Sequence, residues 1–184
     1  MSKTALIIAS DGSEDIELTV VSDVLRRANV EVTIASLQNS KSIELARKVN
    51  INVDKLLNEV KDTEFDAVIL PGGQPGSNNL AADSTVGEVL RRHEAAGKIV
   101  AAICAAPIAL KAHGIAKGGV LTSYPGVADQ IKEGGYTYSE ERVVIYKSVV
   151  TSRGPGTAFD FAFKIVELLA GDEVVQKLKS AMLL

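Results

Sequence analysis

The chain's single cysteine, Cys104, is the side chain best suited to nucleophilic chemistry. It falls between an apolar run, Ile99 to Ile103, and a helical pattern, a layout typical of a nucleophile elbow on a tight strand-to-helix turn. Such a turn requires small neighbours two positions away on either side, and Ala102 and Ala106 occupy those positions. Amide groups and the helix dipole would stabilise a thiolate there, so we expect the pKa of Cys104 to be lowered. The alternative is an inert cysteine of the hydrophobic core.

Glu17 is the candidate acid or base. Two other carboxylates near it, Glu14 and Asp15, fit the first turn of a helix, where negative charge is favourable. Glu17 instead stands among apolar residues, where burial would raise its pKa and leave a neutral carboxyl that can donate a hydrogen bond to a thiolate. The alternative is an exposed helix glutamate.

Neither histidine is well placed to pair with Cys104. His93 lies between Arg92 and Glu94 in an amphipathic segment and is predicted to be a solvated surface residue. His113 comes nine residues after Cys104. That separation is about 13 Å along a helix, so His113 is predicted to interact with the helix C-terminus. One cysteine and two such histidines do not supply a zinc site, and we expect no metal.

The loop after the last predicted strand is a second polar segment with ligand-binding groups. Residues Thr151 to Thr157 offer the guanidinium of Arg153, hydroxyl groups and a helix N-terminus to an anionic or carbonyl ligand. A loop that only caps the following helix is equally compatible with this sequence.

A parallel sheet would bring these positions together. Three short apolar runs are typical of strands buried on both faces: Thr4 to Ala9, Phe65 to Leu70 and Ile99 to Ile103. Helical periodicity follows the first run, with Ser13 as candidate N-cap. Strands alternating with helices predict a doubly wound α/β sandwich, whose ligands bind beyond the carboxyl ends of the strands. Pro71-Gly72-Gly73 and Cys104 follow two of those ends.

The remaining pattern completes this alternation. Further strands are predicted at Val30 to Ser36, Ile43 to Leu45, Val49 to Val53, Val120 to Ser123, Arg142 to Ile145 and Val149 to Ser152. Further helices are predicted at Val86 to Ala96, Ala105 to Ala112, Val127 to Lys132, Thr157 to Leu169 and Glu173 to Met182. Neither an internal repeat nor a linker is present, so a single domain is expected over residues 1–184.

Composition excludes several classes of protein. The 184 residues are 46% hydrophobic and carry a net charge of -3 with scattered lysines and arginines, so neither a nucleic-acid site nor an anionic-lipid site is expected. The longest uncharged apolar run, Ile99 to Leu110, has 12 residues. A membrane-spanning helix needs about 20, so no membrane segment is predicted. With no secretory signal and one cysteine, a cytoplasmic location is expected, and mitochondria and nucleus stay open.

Taken together and in order, four segments resemble the ThiJ/PfpI superfamily: Leu70 to Gly73, Ala101 to Pro107, Thr122 to Pro125 and Thr151 to Thr157. The similarity extends over nearly the whole chain. It implies a flavodoxin-like three-layer sandwich with a mostly parallel sheet, assembled as a homodimer. It also implies glyoxalase or protein deglycase activity on methylglyoxal and its adducts without a cofactor, in oxidative-stress defence, together with a chaperone role.

The resemblance also implies roles for individual residues. Cys104 would be the nucleophile and the peroxide-sensing thiol, and Glu17 would be the carboxyl that hydrogen-bonds it. The amides of Gly73 and Ala105 would form the oxyanion hole. Three further charged side chains would lie near the site or the dimer interface: Arg47, Arg153 and Asp23.

One position departs from the pattern of the superfamily, because Tyr124 stands where many relatives have a histidine. Proton transfer would then fall to Glu17, to Cys104 itself or to water. The favoured hypothesis is a redox-sensitive enzyme that acts on dicarbonyls or glycated proteins. The alternative is a sensor in which peroxide oxidises Cys104 to sulfinic acid. A cysteine protease is disfavoured, since the expected histidine partner is not visible.

Overall fold

The computed structural model describes residues 2–184 of the chain. Its strands, in chain order, are β1 (Thr4–Ala9), β2 (Glu31–Ser36), β3 (Ser42–Glu44), β4 (Asn50–Asn52), β5 (Lys55–Leu56), β6 (Ala67–Leu70), β7 (Ile99–Ile103), β8 (Val120–Leu121), β9 (Thr137–Tyr138), β10 (Val143–Tyr146) and β11 (Val149–Ser152). Its helices are α1 (Asp15–Arg27), α2 (Leu57–Val60), α3 (Gly76–Ala82), α4 (Ser84–Ala95), α5 (Pro107–His113), α6 (Ala128–Glu133), α7 (Ala158–Ala170) and α8 (Asp172–Ala181).

Seven of the strands form one central sheet in the order β10-β11-β7-β6-β1-β2-β5. All neighbours are parallel except β10, which pairs antiparallel with β11. In the middle of the sheet, Ile7 of β1 stands opposite Ile34 of β2 on one side and Ile69 of β6 on the other. The predicted α/β class with a mostly parallel sheet is therefore confirmed.

Helices cover both faces of the sheet, which is why its central strands carry almost no polar residue. One group is formed by α1 and α7, with α8 against α7; the other is formed by α3, α4 and α5, with α6 against α5. Every residue of β6 and β7 is buried. Because these helices cover the faces, polar side chains from several strands can meet at the loops that follow the strand ends.

The strand pieces after β2 form a structure of their own. β3 and β4 pair antiparallel as a hairpin outside the central sheet. Backbone hydrogen bonds fasten this hairpin to the loop after β1: Gly12 donates to the carbonyl of Glu44 at 2.8 Å, and Ala46 donates to that of Ser13 at 2.9 Å. The hairpin is thereby held beside the carboxyl end of β1.

Some predicted boundaries are wrong for identifiable reasons. Ser13 is not the N-cap of α1, because its hydroxyl accepts a hydrogen bond from the Ser10 amide. Glu14 is the cap instead, and its carboxylate accepts from the amide of Glu17. The predicted strand Val120 to Ser123 is shorter, since the Thr122 amide donates to the Thr151 hydroxyl rather than to a strand. β8 pairs with β9 in a separate two-stranded sheet.

His93 is a buried residue, so its predicted position on the solvated surface is wrong. Only 1% of the residue is exposed. The Phe65 amide donates to its Nε2 at 3.0 Å, and its Nδ1 lies 2.7 Å from the carbonyl oxygen of Val89. Since Nε2 accepts, Nδ1 carries the proton and the imidazole is neutral. Burial lowers the pKa of His93. The ring thus ties α4 to the segment that leads into β6.

Candidate active site

Cys104 follows β7 directly and adopts a left-handed backbone conformation, with φ of 64°. This region is unfavourable for a residue with a side chain, by about 1 kcal/mol or more. Two backbone hydrogen bonds hold it there: the Cys104 amide donates to the carbonyl of Ser152 at 3.0 Å, and its carbonyl accepts from the Tyr124 amide at 2.7 Å. The end of β11 and the backbone at Tyr124 therefore fix the tight turn that the sequence predicted, and the thiol lies at the end of β7.

Close packing around this turn leaves no room for larger residues. A Cβ on Gly72 would lie 2.5 Å from the Cβ of Cys104 and 2.6 Å from Oε2 of Glu17. Ala102 and Ala106 are fully buried on either side of the cysteine. Small residues on the ends of β6 and β7 thus allow the thiol and the carboxyl to approach each other.

Glu17 reaches this point from the first turn of α1. The residue is fully buried, so the alternative of an exposed glutamate is wrong. Its Oε2 accepts a hydrogen bond of 2.7 Å from the Gly72 amide. Burial raises its pKa to about 7, although hydrogen bonds with Cys104 and with the Gly72 amide partly oppose this. Because Oε2 accepts, a proton on the neutral carboxyl belongs on Oε1, which has no hydrogen-bond partner among residues 2–184.

The expected lowering of the thiol pKa is wrong. Burial, the negative charge of Glu17 and a hydrogen bond with Glu17 raise the pKa of Cys104 to about 12, whereas the amides of Gly73 and Ala105 lower it. In addition, α5 begins only at Pro107, so Cys104 precedes the helix instead of lying in its first turn. The two groups titrate as a pair: when Glu17 holds the proton, its charge no longer opposes a thiolate and the two amides stabilise one, whereas burial of the thiol still opposes it.

The thiol opens into a cavity of about 420 Å³. Its lining is Glu14, Ala46, Arg47, Gly73, Gln74, Cys104, Ala105, Tyr124 and Pro155. The hairpin supplies Arg47, whose amide donates to the carboxylate of Asp15 at 2.8 Å. Tyr124, half exposed, forms another part of the wall. This volume accommodates a small organic substrate in contact with Cys104.

The structure thus brings six of the predicted residues to one place: Cys104, Glu17, Gly73, Ala105, Arg47 and Tyr124. Arg153 does not line this cavity but an adjoining one on the other side of Tyr124. Asp23 lies on the exposed side of α1, where it forms an ion pair of 2.7 Å with Arg27, and it does not reach the cavity.

Sequence reasoning missed Glu14, Ala46 and Gln74 as lining residues, whereas Pro155 belongs to the segment Thr151 to Thr157 that was predicted as a ligand-binding loop. Gln74 could have been found, because it directly follows the glycines at the end of β6. Ala46 could not, since nothing in the sequence indicates that the hairpin folds back over the loop after β1.

Neither histidine contributes to the cavity: His93 is bound to Phe65, and Nε2 of His113 lies 2.9 Å from the Leu80 carbonyl. Across residues 2–184, no cluster of three or more His, Cys, Asp or Glu side chains could hold a metal ion. Within the same residues, no helix combines the length and the apolar character needed to cross a membrane.

The fold and the site define a doubly wound α/β protein with a cysteine at a nucleophile elbow and a buried glutamate beside it. The chain belongs to the DJ-1/PfpI family, whose sequence model matches residues 3–168. The resemblance inferred from the four sequence segments is therefore confirmed.

Individual relatives match along almost the entire chain. The crystal structure of Drosophila melanogaster DJ-1beta superimposes with a TM-score of 0.97 at 45% identity, covering 100% of this chain and 99% of that one. The Parkinson disease protein 7 homolog of Danio rerio is 44% identical, covering 99% of this chain and 97% of the relative. The glutathione-independent glyoxalase DJR-1.2 of Caenorhabditis elegans is 42% identical, covering 96% and 94%.

Proposed function

We propose that this protein is a glutathione-independent glyoxalase and protein deglycase that acts on methylglyoxal and its adducts through Cys104. The observation that carries the proposal is the pairing of the strained Cys104 with the buried carboxyl of Glu17 at the mouth of a cavity. A relative with 42% identity is named a glutathione-independent glyoxalase, which supports this activity for the present chain.

The first step is addition of the Cys104 thiolate to the aldehyde carbon of methylglyoxal. A carbon–sulfur bond forms, and the aldehyde oxygen becomes an alkoxide that accepts hydrogen bonds from the amides of Gly73 and Ala105. The protonated Glu17 carboxyl gives its proton to this oxygen, so that the product is a neutral hemithioacetal. Glu17 is then a carboxylate beside the former aldehyde carbon.

Glu17 next moves a proton between the two carbons. Its carboxylate removes the hydrogen from the former aldehyde carbon and returns it to the adjacent ketone carbon, while the hydroxyl proton on the former aldehyde oxygen passes to the former ketone oxygen; together these two proton transfers convert the hemithioacetal into a thioester of lactate. Water then attacks the thioester and the thiolate leaves. The attacking water returns a proton to Glu17, so that one methylglyoxal and one water give one lactate and one proton, with no net oxidation and no external cofactor. A pKa of about 7 suits Glu17 to both proton donation and proton removal near neutral pH.

The test is methylglyoxal consumption without glutathione, measured together with lactate formation at equal folded concentration. We expect turnover in the parent protein, none in Cys104→Ser, and a loss of at least about a hundredfold in Glu17→Gln, a typical contribution of acid–base catalysis. Glu173→Gln is the matched control, because this exposed glutamate pairs with Lys177 on α8. It should retain parent activity.

A different result would contradict each of the roles proposed for Glu17 and Cys104. Undiminished turnover in Glu17→Gln would remove Glu17 from proton transfer, and undiminished turnover in Cys104→Ser would remove the nucleophile. A parent protein without turnover would overturn the enzyme proposal as a whole. Turnover in the parent would also show that Tyr124 is an adequate substitute for the histidine of other superfamily members.

The second candidate function is peroxide sensing at the same thiol. The specific observation in its favour is that Gly73, Ala105 and Glu17 all offer hydrogen-bond donors to an oxidised Cys104. Each of two peroxides gives one oxygen to sulfur and leaves as water, so the thiol passes through sulfenic to sulfinic acid. With one cysteine in the sequence, the sulfenic acid has no partner for an intramolecular disulfide. Altered binding of other proteins, as in a chaperone, would be the output.

Intact mass after mild peroxide treatment tests this function. The parent protein should gain two oxygen atoms, and Cys104→Ser, which retains both methionines, controls for methionine oxidation. A parent mass that does not exceed that of the treated variant would exclude sulfinic acid formation.

A further inference from the structure

A second cavity adjoins the proposed active site across the ring of Tyr124. Its volume is about 260 Å³, and its lining includes Arg142, Arg153 and Thr157. Tyr124 lines both cavities, and Pro155, in the wall of the first, directly follows Gly154, in the wall of the second. The two cavities therefore lie next to each other, with the side chain of Tyr124 in the wall of both.

Arg153 is fixed in this cavity without an acidic partner. Its Nε and Nη1 donate to the carbonyl oxygens of Ser123 and Glu140 at 3.4 and 3.2 Å. Its own amide donates to the Thr157 hydroxyl at 3.1 Å. Within residues 2–184, no carboxylate lies within 4.0 Å of its guanidinium. Carbonyl contacts orient the group but leave its positive charge uncompensated.

Arg142, by contrast, is already paired. Its Nε lies 2.7 Å from the carboxylate of Asp160, and its Nη2 donates to the carbonyl of Gly156 at 2.8 Å. The exposed side chains of Glu140 and Glu141 do not line the cavity. The two arginines and Asp160 together leave one positive charge, that of Arg153. A single negative charge on a ligand would balance it.

We propose that this second cavity is a subsite for a carboxylate on the substrate, so that the enzyme favours α-oxoaldehydes carrying an acidic group a few atoms away from the aldehyde. The proposal rests on the function proposed above. The aldehyde reacts at Cys104, the connecting atoms cross the face or edge of Tyr124, and the carboxylate pairs with the guanidinium of Arg153. Methylglyoxal is too small to occupy both cavities and would use only the first.

Two substrates with the same reacting group test the subsite: phenylglyoxal, which is neutral, and 4-carboxyphenylglyoxal, which is anionic. We expect the parent protein to have a higher kcat/KM for the anionic substrate. Arg153→Gln should reduce the ratio of the two kcat/KM values about tenfold, through KM, because it removes one charge-assisted contact. Arg153→Lys, which retains the charge, should keep part of the preference.

Arg26→Gln is the matched control, since Arg26 is half exposed and pairs with Asp54, away from both cavities. Its ratio should equal that of the parent. A ratio in Arg153→Gln that also equals the parent ratio would overturn the subsite, provided that thermal unfolding shows the variant to be folded.

A binding measurement separates this inference from the proposed activity. The 4-methylbenzoate ion carries the same single carboxylate on a phenyl ring but no aldehyde, so its binding by titration calorimetry does not depend on turnover. We expect it to bind the parent protein more tightly than Arg153→Gln. If no aldehyde is turned over but 4-methylbenzoate binds in this way, only the enzyme proposal fails. If methylglyoxal is turned over but neither charge preference nor 4-methylbenzoate binding is found, only the subsite fails.

Discussion

At the scale of single residues, the molecule's least ordinary feature is a carboxyl group buried beside a thiol. Glu17 accepts a backbone hydrogen bond from the Gly72 amide at Oε2, whereas its Oε1 has no hydrogen-bond partner within residues 2–184. An ionised carboxylate needs more support than that in an apolar setting, so the neutral form is favoured up to a pH of about 7. In the folded state Glu17 therefore keeps its proton at pH values at which the unfolded chain has already released it.

This proton predicts a pH-dependent stability. Because the pKa of Glu17 rises from 4.5 to about 7 on folding, its contribution is complete in acid and is lost as pH rises through about 7. Glu17→Gln keeps a neutral group and should not suffer this loss. Between about pH 5.5 and about pH 8.5, the parent's free energy of unfolding should fall by about 2 kcal/mol relative to the variant.

Urea denaturation at the two pH values measures this difference. Glu173→Gln, on the exposed side of α8, should follow the parent at both. A constant difference between the parent and Glu17→Gln would mean that Glu17 is ionised in the folded protein throughout this range.

At the scale of elements, the site depends on how closely the ends of β6 and β7 approach each other. Gly72→Ala would place a methyl group 2.5 Å from the Cβ of Cys104, so one strand end must move. We expect a loss of about 2 kcal/mol in the free energy of unfolding, typical of an overpacked core. Gly156→Ala is the control, because open space surrounds its Cβ position. Equal thermal stability of the two variants would contradict this account of the turn.

The contact between α4 and the start of β6 depends on His93. His93→Leu fills the space but leaves the Phe65 amide without its acceptor, which should lower the free energy of unfolding by about 2 kcal/mol near neutral pH. Because the pKa of His93 is lowered on folding, the parent itself loses stability as pH falls through the ordinary range of histidine. The difference between parent and variant should therefore shrink in acid.

Denaturation of both proteins at neutral and acidic pH checks this prediction. Glu88→Gln, on the exposed side of the same helix, serves as the control and should match the parent. A difference that widens in acid would mean that the buried imidazole is protonated rather than neutral.

Sequence patterns predict strands well where both faces of the strand are buried. They predict a side chain's environment poorly where its partners are distant in the chain. β1 and β7 have the predicted bounds, because uninterrupted apolar runs leave little choice of strand position. His93 was misplaced because flanking charges suggested a surface, whereas its acceptor role for Phe65 comes from a loop 28 residues earlier. The thiol pKa is raised instead of lowered because burial and the charge of Glu17, which lies far away in the chain, outweigh the local amides. Local sequence carries no information about such partners.

At the scale of the whole molecule, we expect the homodimer that the family resemblance implies. Two large apolar side chains are about half exposed on segments joined beside the site: Ile16 on α1 and Val49 at the hairpin. Water contact at both is unfavourable, and a second copy would cover them. Sedimentation should give twice the mass of the 19.4 kDa chain, and Ile16→Glu should shift it toward the single chain.

Leu183→Glu provides the control, because Leu183 is almost fully exposed near the C-terminus. It should sediment like the parent. A parent protein of single-chain mass would exclude the homodimer, and an unchanged mass for Ile16→Glu would place the contact elsewhere.

The hairpin of β3 and β4 can determine how often the rim of the cavity opens during catalysis. It carries Arg47 and Ala46 to the rim of the cavity, yet it is outside the central sheet and is fastened at the loop after β1 by main-chain hydrogen bonds. Amide protons at Gly12 and Ala46 exchange with solvent only when those bonds break. Their exchange rates therefore report how often the rim opens. A substrate bound in the cavity should slow exchange at these two amides while leaving exchange at the amides of β1 unaffected.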